Sequence, residues 1–159
     1  MIRIERKLTV AAPPEAVWAI LSDPFQVAAC LPGATVTERR ADGSYAGRIS
    51  VKVGPLSATY HGVIRFERLD RERLEVEMIG QGLDTKGKGG AEMRMTSQLL
   101  RLEGGGTAVI VRSDIGIKGI LAQLGRGMIE SVSARMFQQF GVALEQRLAG
   151  RPDAAASGG

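Results

Sequence analysis

The chain of 159 residues is 44% hydrophobic and only 4% aromatic, and it carries a formal charge of +4. This length suits one domain with a substantial core. Scattered Lys and Arg with few aromatics argue against nucleic-acid binding, which calls for a dense basic stripe and stacking rings.

Ile2, Ile4, Leu8 and Val10 sit at mostly even spacing among charged residues, the pattern of a half-buried strand. Pro13-Pro14-Glu15 ends it and opens a short helix with an apolar stripe of Val17, Ile20 and Leu21. Asp23 is a good N-cap and Pro24 a good first helical residue, so a second short helix is expected to run to about Cys30. Pro32-Gly33 then forms a type II turn pair.

From Ala34 to about Lys118 turn signals recur at Asp42-Gly43, Gly54-Pro55, Asp70-Arg71, residues 80–90 and Gly104-Gly105-Gly106. Between them apolar and polar residues alternate. Tyr45, Gly47, Ile49, Val51 and Val53 share one face, as do Ala58, Tyr60, Gly62, Ile64 and Phe66. Leu74, Val76 and Met78, then Met93 and Met95, then Val109, Val111, Ile115 and Ile117 repeat the pattern. Alternation between tight turns means antiparallel hairpins with one face covered and one wet. The last segment switches to a 3.6-residue period. Leu121, Leu124, Met128, Val132, Phe140, Leu144 and Leu148 fall near one face, widened by Ile129, Met136 and Phe137. One amphipathic helix of about 30 residues is expected, stopped by Gly150 and Pro152.

The expected fold is therefore α+β: a seven-stranded antiparallel sheet around a long C-terminal helix, with two short helices after strand 1. The domain is expected over residues 1–149, with a disordered tail over 150–159. A twisted sheet has one concave apolar face, and a single helix need not fill it, so a ligand cavity is expected between them. The inward set predicted to line it is Ile49, Val51, Tyr60, Ile64, Phe66, Val76, Met78, Met93, Met95, Val111 and Ile115 from the sheet. Leu121, Leu124, Met128 and Val132 complete it from the helix. The methionines, including Met136, are either core filler or a deformable wall around an apolar ligand. Tyr60 is the expected polar group on that wall.

Catalytic chemistry finds little support. Read from Gly82, residues 80–90 nearly match a phosphate loop, with Gly87 and Lys88 in place. However, Gly89 stands where a Ser or Thr should bind magnesium, and an alternating strand follows instead of a helix. A mobile hairpin loop is expected there. His61, the one histidine, alternates onto the polar face. Cys30 lies at a helix end, has no second cysteine, and is expected to be a small apolar filler. One His and one Cys cannot make the usual zinc site. Glu92, Asp114 and Glu130 are expected to face solvent; turned inward, any of them would gain a raised pKa and become an acid–base candidate. No catalytic residue, metal or covalently bound cofactor is expected.

Several motifs resemble the CoxG family of aerobic carbon monoxide dehydrogenase subunits, and the element order resembles the helix-grip fold of the START/SRPBCC superfamily (START/Bet v 1-like). They are Ala11-Ala12-Pro13-Pro14-Glu15-Ala16-Val17-Trp18, Asp23-Pro24 with Cys30-Leu31-Pro32-Gly33, and Val51-Lys52-Val53-Gly54-Pro55. Ala58-Thr59-Tyr60-His61-Gly62, Gly104-Gly105-Gly106-Thr107 and Leu121-Ala122-Gln123-Leu124-Gly125 complete them. The resemblance covers about residues 1–148. It implies a non-catalytic accessory protein that helps recruit a molybdenum hydroxylase of the carbon monoxide dehydrogenase type to the membrane. It also implies that a respiratory quinone, menaquinone or ubiquinone, occupies the central cavity. Some members end in an apolar anchor; the small-residue tail at residues 154–159 departs from that pattern, so direct anchoring is not expected here.

Two other readings stay open. A cyclase- or hydrolase-like enzyme of the same superfamily needs at least two polar or titratable groups converging in the cavity. A protein-docking module would have its core filled by its own side chains. Charges interrupt every apolar run in the N-terminal MIRIERKLTV, and no run of about 18 apolar residues is present to span a membrane. With a single cysteine, this makes the cytoplasm the expected location, with peripheral contact at the inner face of the membrane.

Overall fold

The computed structural model describes residues 1–53, 55–87 and 89–150. Strand β1 (Ile2–Val10) is followed by helices α1 (Pro14–Leu21) and α2 (Pro24–Ala29). Six strands come next: β2 (Ala34–Arg39), β3 (Tyr45–Val53), β4 (Leu56–Asp70), β5 (Glu75–Asp84), β6 (Gly89–Arg101) and β7 (Thr107–Gly119). A 3₁₀ turn (Ile120–Leu124) leads into α3 (Gly125–Ala149). The seven strands form one antiparallel sheet in the order β1-β7-β6-β5-β4-β3-β2. Strands β2 to β7 are a meander of neighbours, whereas β1 joins at the far edge beside β7. Helices α1 and α2 carry the chain from one edge to the other.

Local chemistry explains the elements. Asp23 caps α2 as expected, its carboxylate accepting from the Phe25 N–H at 3.0 Å, with Pro24 in the first turn. The start of α1 is pinned to β7 by the buried Thr107 hydroxyl, which donates to the Ala12 carbonyl at 2.7 Å. Bulges at Val36/Glu38 and Phe66/Arg68 increase the local twist. The outer face carries ion pairs such as Arg3–Asp114, Arg112–Glu5 and Arg94–Glu77. These are exposed and contribute little each.

The expected single helix of about 30 residues is corrected. It is a five-residue 3₁₀ turn followed by a helix of 25 residues. Gly125 at the junction has φ +81° and ψ 166°, a backbone conformation essentially closed to residues with a Cβ. The break turns Leu121 into a small cluster with Ala58 and Tyr60, flanked by Ile49, Ala91, Ile117 and Leu124. The main core lies at the other end of the sheet. There Val17, Trp18 and Ile20 of α1 meet Leu99 and Val109 of the sheet and Phe140, Leu144 and Leu148 of α3. Gly150 closes α3, its N–H donating to the Gln146 carbonyl. Pro152 and residues 151–159 of the expected tail lie outside the described residues, as do Gly54 and Lys88 of the motifs above.

Candidate ligand-binding cavity

Between the two clusters, the concave face of the sheet and α3 enclose a cavity of about 430 Å³. Its emptiness has a cause in the sequence. Gly47, Gly62 and Gly82 stand directly opposite one another on β3, β4 and β5, with Ala91 next on β6. All four line the cavity, and Gly80 lines it one step away. A row with almost no side chains crosses the middle of the inner face. At the α2 side, Phe25 packs edge-on to Tyr45 at 5.9 Å between ring centres, and Tyr45 packs likewise on Phe66 at 6.1 Å.

Of the residues predicted from sequence, Ile49, Tyr60, Ile64, Phe66, Val76, Met78, Met93, Met95, Val111 and Ile115 line this cavity. The helical part of the prediction is corrected. Leu124, Met128 and Val132 line a separate open groove of about 420 Å³ with Val53, Pro55 and Leu56, and Met128 is 45% exposed. Leu121 is buried in the small cluster, and Val51 is half-buried outside the cavity lining. Within α3 itself, at about 100° per residue, Ser133, Met136, Phe137 and Phe140 share the face turned to the cavity, while Met128 and Val132 lie on another face.

Tyr60 is the polar wall residue anticipated from the alternation, and it is buried. Burial, and then the charge of Asp84 directly opposite on β5, raise its phenol above the usual tyrosine range. The group is a hydrogen-bond donor at neutral pH, not a base. Because folding favours the protonated form, this contribution is complete below the unfolded phenol's pKa and fades as pH climbs through the folded one. Ultraviolet titration should show one phenol ionising late, and that phase should vanish in Tyr60→Phe. A variant curve that superimposes on the wild type's late phase would contradict the placement.

Three further polar residues on the inner face were passed over in the sequence: Arg6, Ser97 and Ser113, all lining the cavity. Their signal is parity, since Arg6 occupies the same even phase as Ile4 and Leu8, and Ser97 and Ser113 the odd phase of Met95 and Val111. The other candidates, Glu92 excepted, lie elsewhere. His61 is exposed on the outer face, Asp114 pairs with Arg3, and Glu130 pairs with Arg126. Glu92 is exposed and sits over Gly116, and it contributes to the cavity lining. Cys30 is 2% exposed, and burial pushes its thiol up. Asp84 accepts from the Lys86 N–H at 3.0 Å and so shapes the β5–β6 turn. Among the described residues no His, Cys, Asp and Glu cluster could hold a metal ion.

Residues 7–149 match the CoxG family of carbon monoxide dehydrogenase subunits. The chain belongs to the CoxG family. No curated protein sequence matches this CoxG chain. Among solved structures, it is similar to a conserved protein from Geobacillus kaustophilus, at TM-score 0.82 and 16% identity, covering 93% of this chain and 95% of that one. It is similar to the Zhui aromatase/cyclase from Streptomyces sp. R1128, at TM-score 0.66 and 21% identity, with 95% and 96% covered. A START superfamily protein from Mycobacterium smegmatis aligns at TM-score 0.63 and 18% identity, with 92% and 97% covered. These likenesses show the fold, which is the helix-grip arrangement of START-type proteins. Family and fold together support a ligand-binding accessory role.

Proposed function

We propose that this CoxG protein holds a quinone-like lipid, menaquinone or ubiquinone, in its cavity and serves a molybdenum hydroxylase of the carbon monoxide dehydrogenase type. Its task in this reading is membrane recruitment of that enzyme or electron transfer to quinone. The observation that carries the reading is the glycine-hollowed, largely apolar cavity of about 430 Å³, which suits a ring system of drug-like size. A polyprenyl tail is longer than the cavity and would emerge from it. No helix among the described residues is long and apolar enough to cross a membrane. The reading therefore takes membrane contact to be peripheral, on the cytoplasmic side.

A ligand present at about 100 times its Kd stabilises the folded state by about 2.7 kcal/mol, which raises Tm by several degrees for a domain of this size. Menaquinone and ubiquinone analogues should produce such shifts, and native mass spectrometry of protein from its own host should show bound lipid. Protein that is empty from its host and unshifted by every quinone would sink the reading. A cyclase-type enzyme is the second reading, favoured by one observation, the Tyr60 phenol opposite Asp84. It requires a turnover that Tyr60→Phe abolishes.

A further inference from the structure

Ser97 and Ser113 are the least expected residues on the cavity wall. Both point from the sheet's inner face into otherwise apolar surroundings, and they are only 9% and 8% exposed. Neither hydroxyl has a hydrogen-bond partner among the described residues. Neither is sealed off, because every fully enclosed side-chain N or O among those residues has a partner. Both therefore open into the cavity. Register places them together: Ser97 lies opposite Val111 on β7, and Ser113 is the next inward residue along that strand, opposite Met95. Arg6 lies opposite the same Val111 from the other side, on β1. Its guanidinium donates to the Glu5 carbonyl at 3.1 Å and has no carboxylate partner among the described residues.

A buried hydroxyl without a partner is costly unless water or a ligand satisfies it. Two of them at diagonal positions on paired strands, with a cation at their edge, make a spot that favours an oxygen acceptor and repels a cationic group. Around them Val76, Met95, Val111 and Phe140 offer only apolar contact.

We propose that Ser97 and Ser113 form the hydrogen-bonding subsite for an acceptor oxygen on the cavity's ligand, with Arg6 biasing that subsite toward carbonyl or carboxylate. This rests on the ligand-binding reading above and deepens it. The cargo is an apolar body with one oxygen-bearing head, and the head sits against β6 and β7 instead of at Tyr60.

The test compares 2,3-dimethyl-1,4-naphthoquinone with 2,3-dimethylnaphthalene, which has the same ring frame without oxygens, and with decanoate, by titration calorimetry on the full chain. Ser97→Ala with Ser113→Ala should weaken the quinone about tenfold or more and leave the hydrocarbon within about twofold, and each single change should cost about threefold. Removing partnerless hydroxyls should leave Tm unchanged or higher, and the single variants keep the test decisive if the double variant does not fold. Equal quinone affinity in wild type and variants, or equal losses for quinone and hydrocarbon, would overturn the subsite while leaving the cavity's role intact. Wild-type protein that binds none of the probes would overturn the ligand-binding reading and the subsite with it. Tighter binding of decanoate, lost in Arg6→Gln, would support the acceptor subsite and assign it to a fatty acid instead of a quinone.

Discussion

Gly62→Ala should lower the unfolding free energy by about 3 kcal/mol or more and Tm by roughly 6–12 °C. A Cβ at Gly62 would stand 2.0 Å from the Gln81 carbonyl oxygen, 2.8 Å from the Gly82 Cα and 2.9 Å from the Gln81 carbonyl carbon. All three are backbone atoms of β5, so no side-chain rotation relieves the overlap. The strand pair itself must separate, and it is central to the sheet. Gly127→Ala is the matched control. It lies in α3 with nothing within 4 Å of a new Cβ, and should gain up to about 1 kcal/mol from helix propensity. Urea and thermal unfolding of both variants measure the contrast. A Gly62→Ala protein that melts within a degree of wild type would show that the sheet is not held this close.

Gly80→Leu should have the opposite character, a folded protein with an occupied cavity. A Cβ at Gly80 meets side chains and no backbone, Ile64 Cγ2 at 3.3 Å and the flexible Met93 Cε at 3.8 Å. The leucine then extends into the cavity that Gly80 lines. Filling apolar space and replacing a strand glycine both favour the folded state, so Tm should hold or rise. Ligand and leucine cannot share the volume, and quinone affinity should fall about tenfold to a hundredfold, the cost of overpacking by one side chain. Unchanged affinity in a well-folded Gly80→Leu protein would place the binding site outside this cavity.

Much of the fold was legible because the strands alternate cleanly and their turns are marked. Asp23-Pro24 announced α2, and the odd or even phase of each strand put Ile49, Ile64, Met78, Met95 and Val111 on the inner face, where they line the cavity. The helical side of the cavity was not legible in the same way. A 3.6-residue period continues smoothly through Gly125 on paper, but a backbone at φ +81° breaks the helical run there. Past it, α3 carries two apolar faces, and period alone does not say which one meets the sheet: Met128 and Val132 turn to the open groove, Met136 and Phe137 to the cavity. Arg6, Ser97 and Ser113 were hidden for a different reason. Sorting by polarity sends them to the wet face, whereas the strand's pleat fixes a side chain's direction whatever its chemistry. Strand phase alone would have found all three.

The pairing of β1 with β7 joins Ile2 to Ile115, across most of the chain, while every other strand pairs with its neighbour in sequence. Closing so long a loop is entropically expensive and slow compared with forming hairpins. Folding should therefore begin in the β2–β7 meander, with β1 and α3 docking afterwards. During synthesis the first strand has no partner until β7 has emerged from the ribosome, and the concave apolar face stays uncovered until α3 follows. The cavity cannot enclose any cargo before then, and this interval is when the nascent chain is most exposed to aggregation.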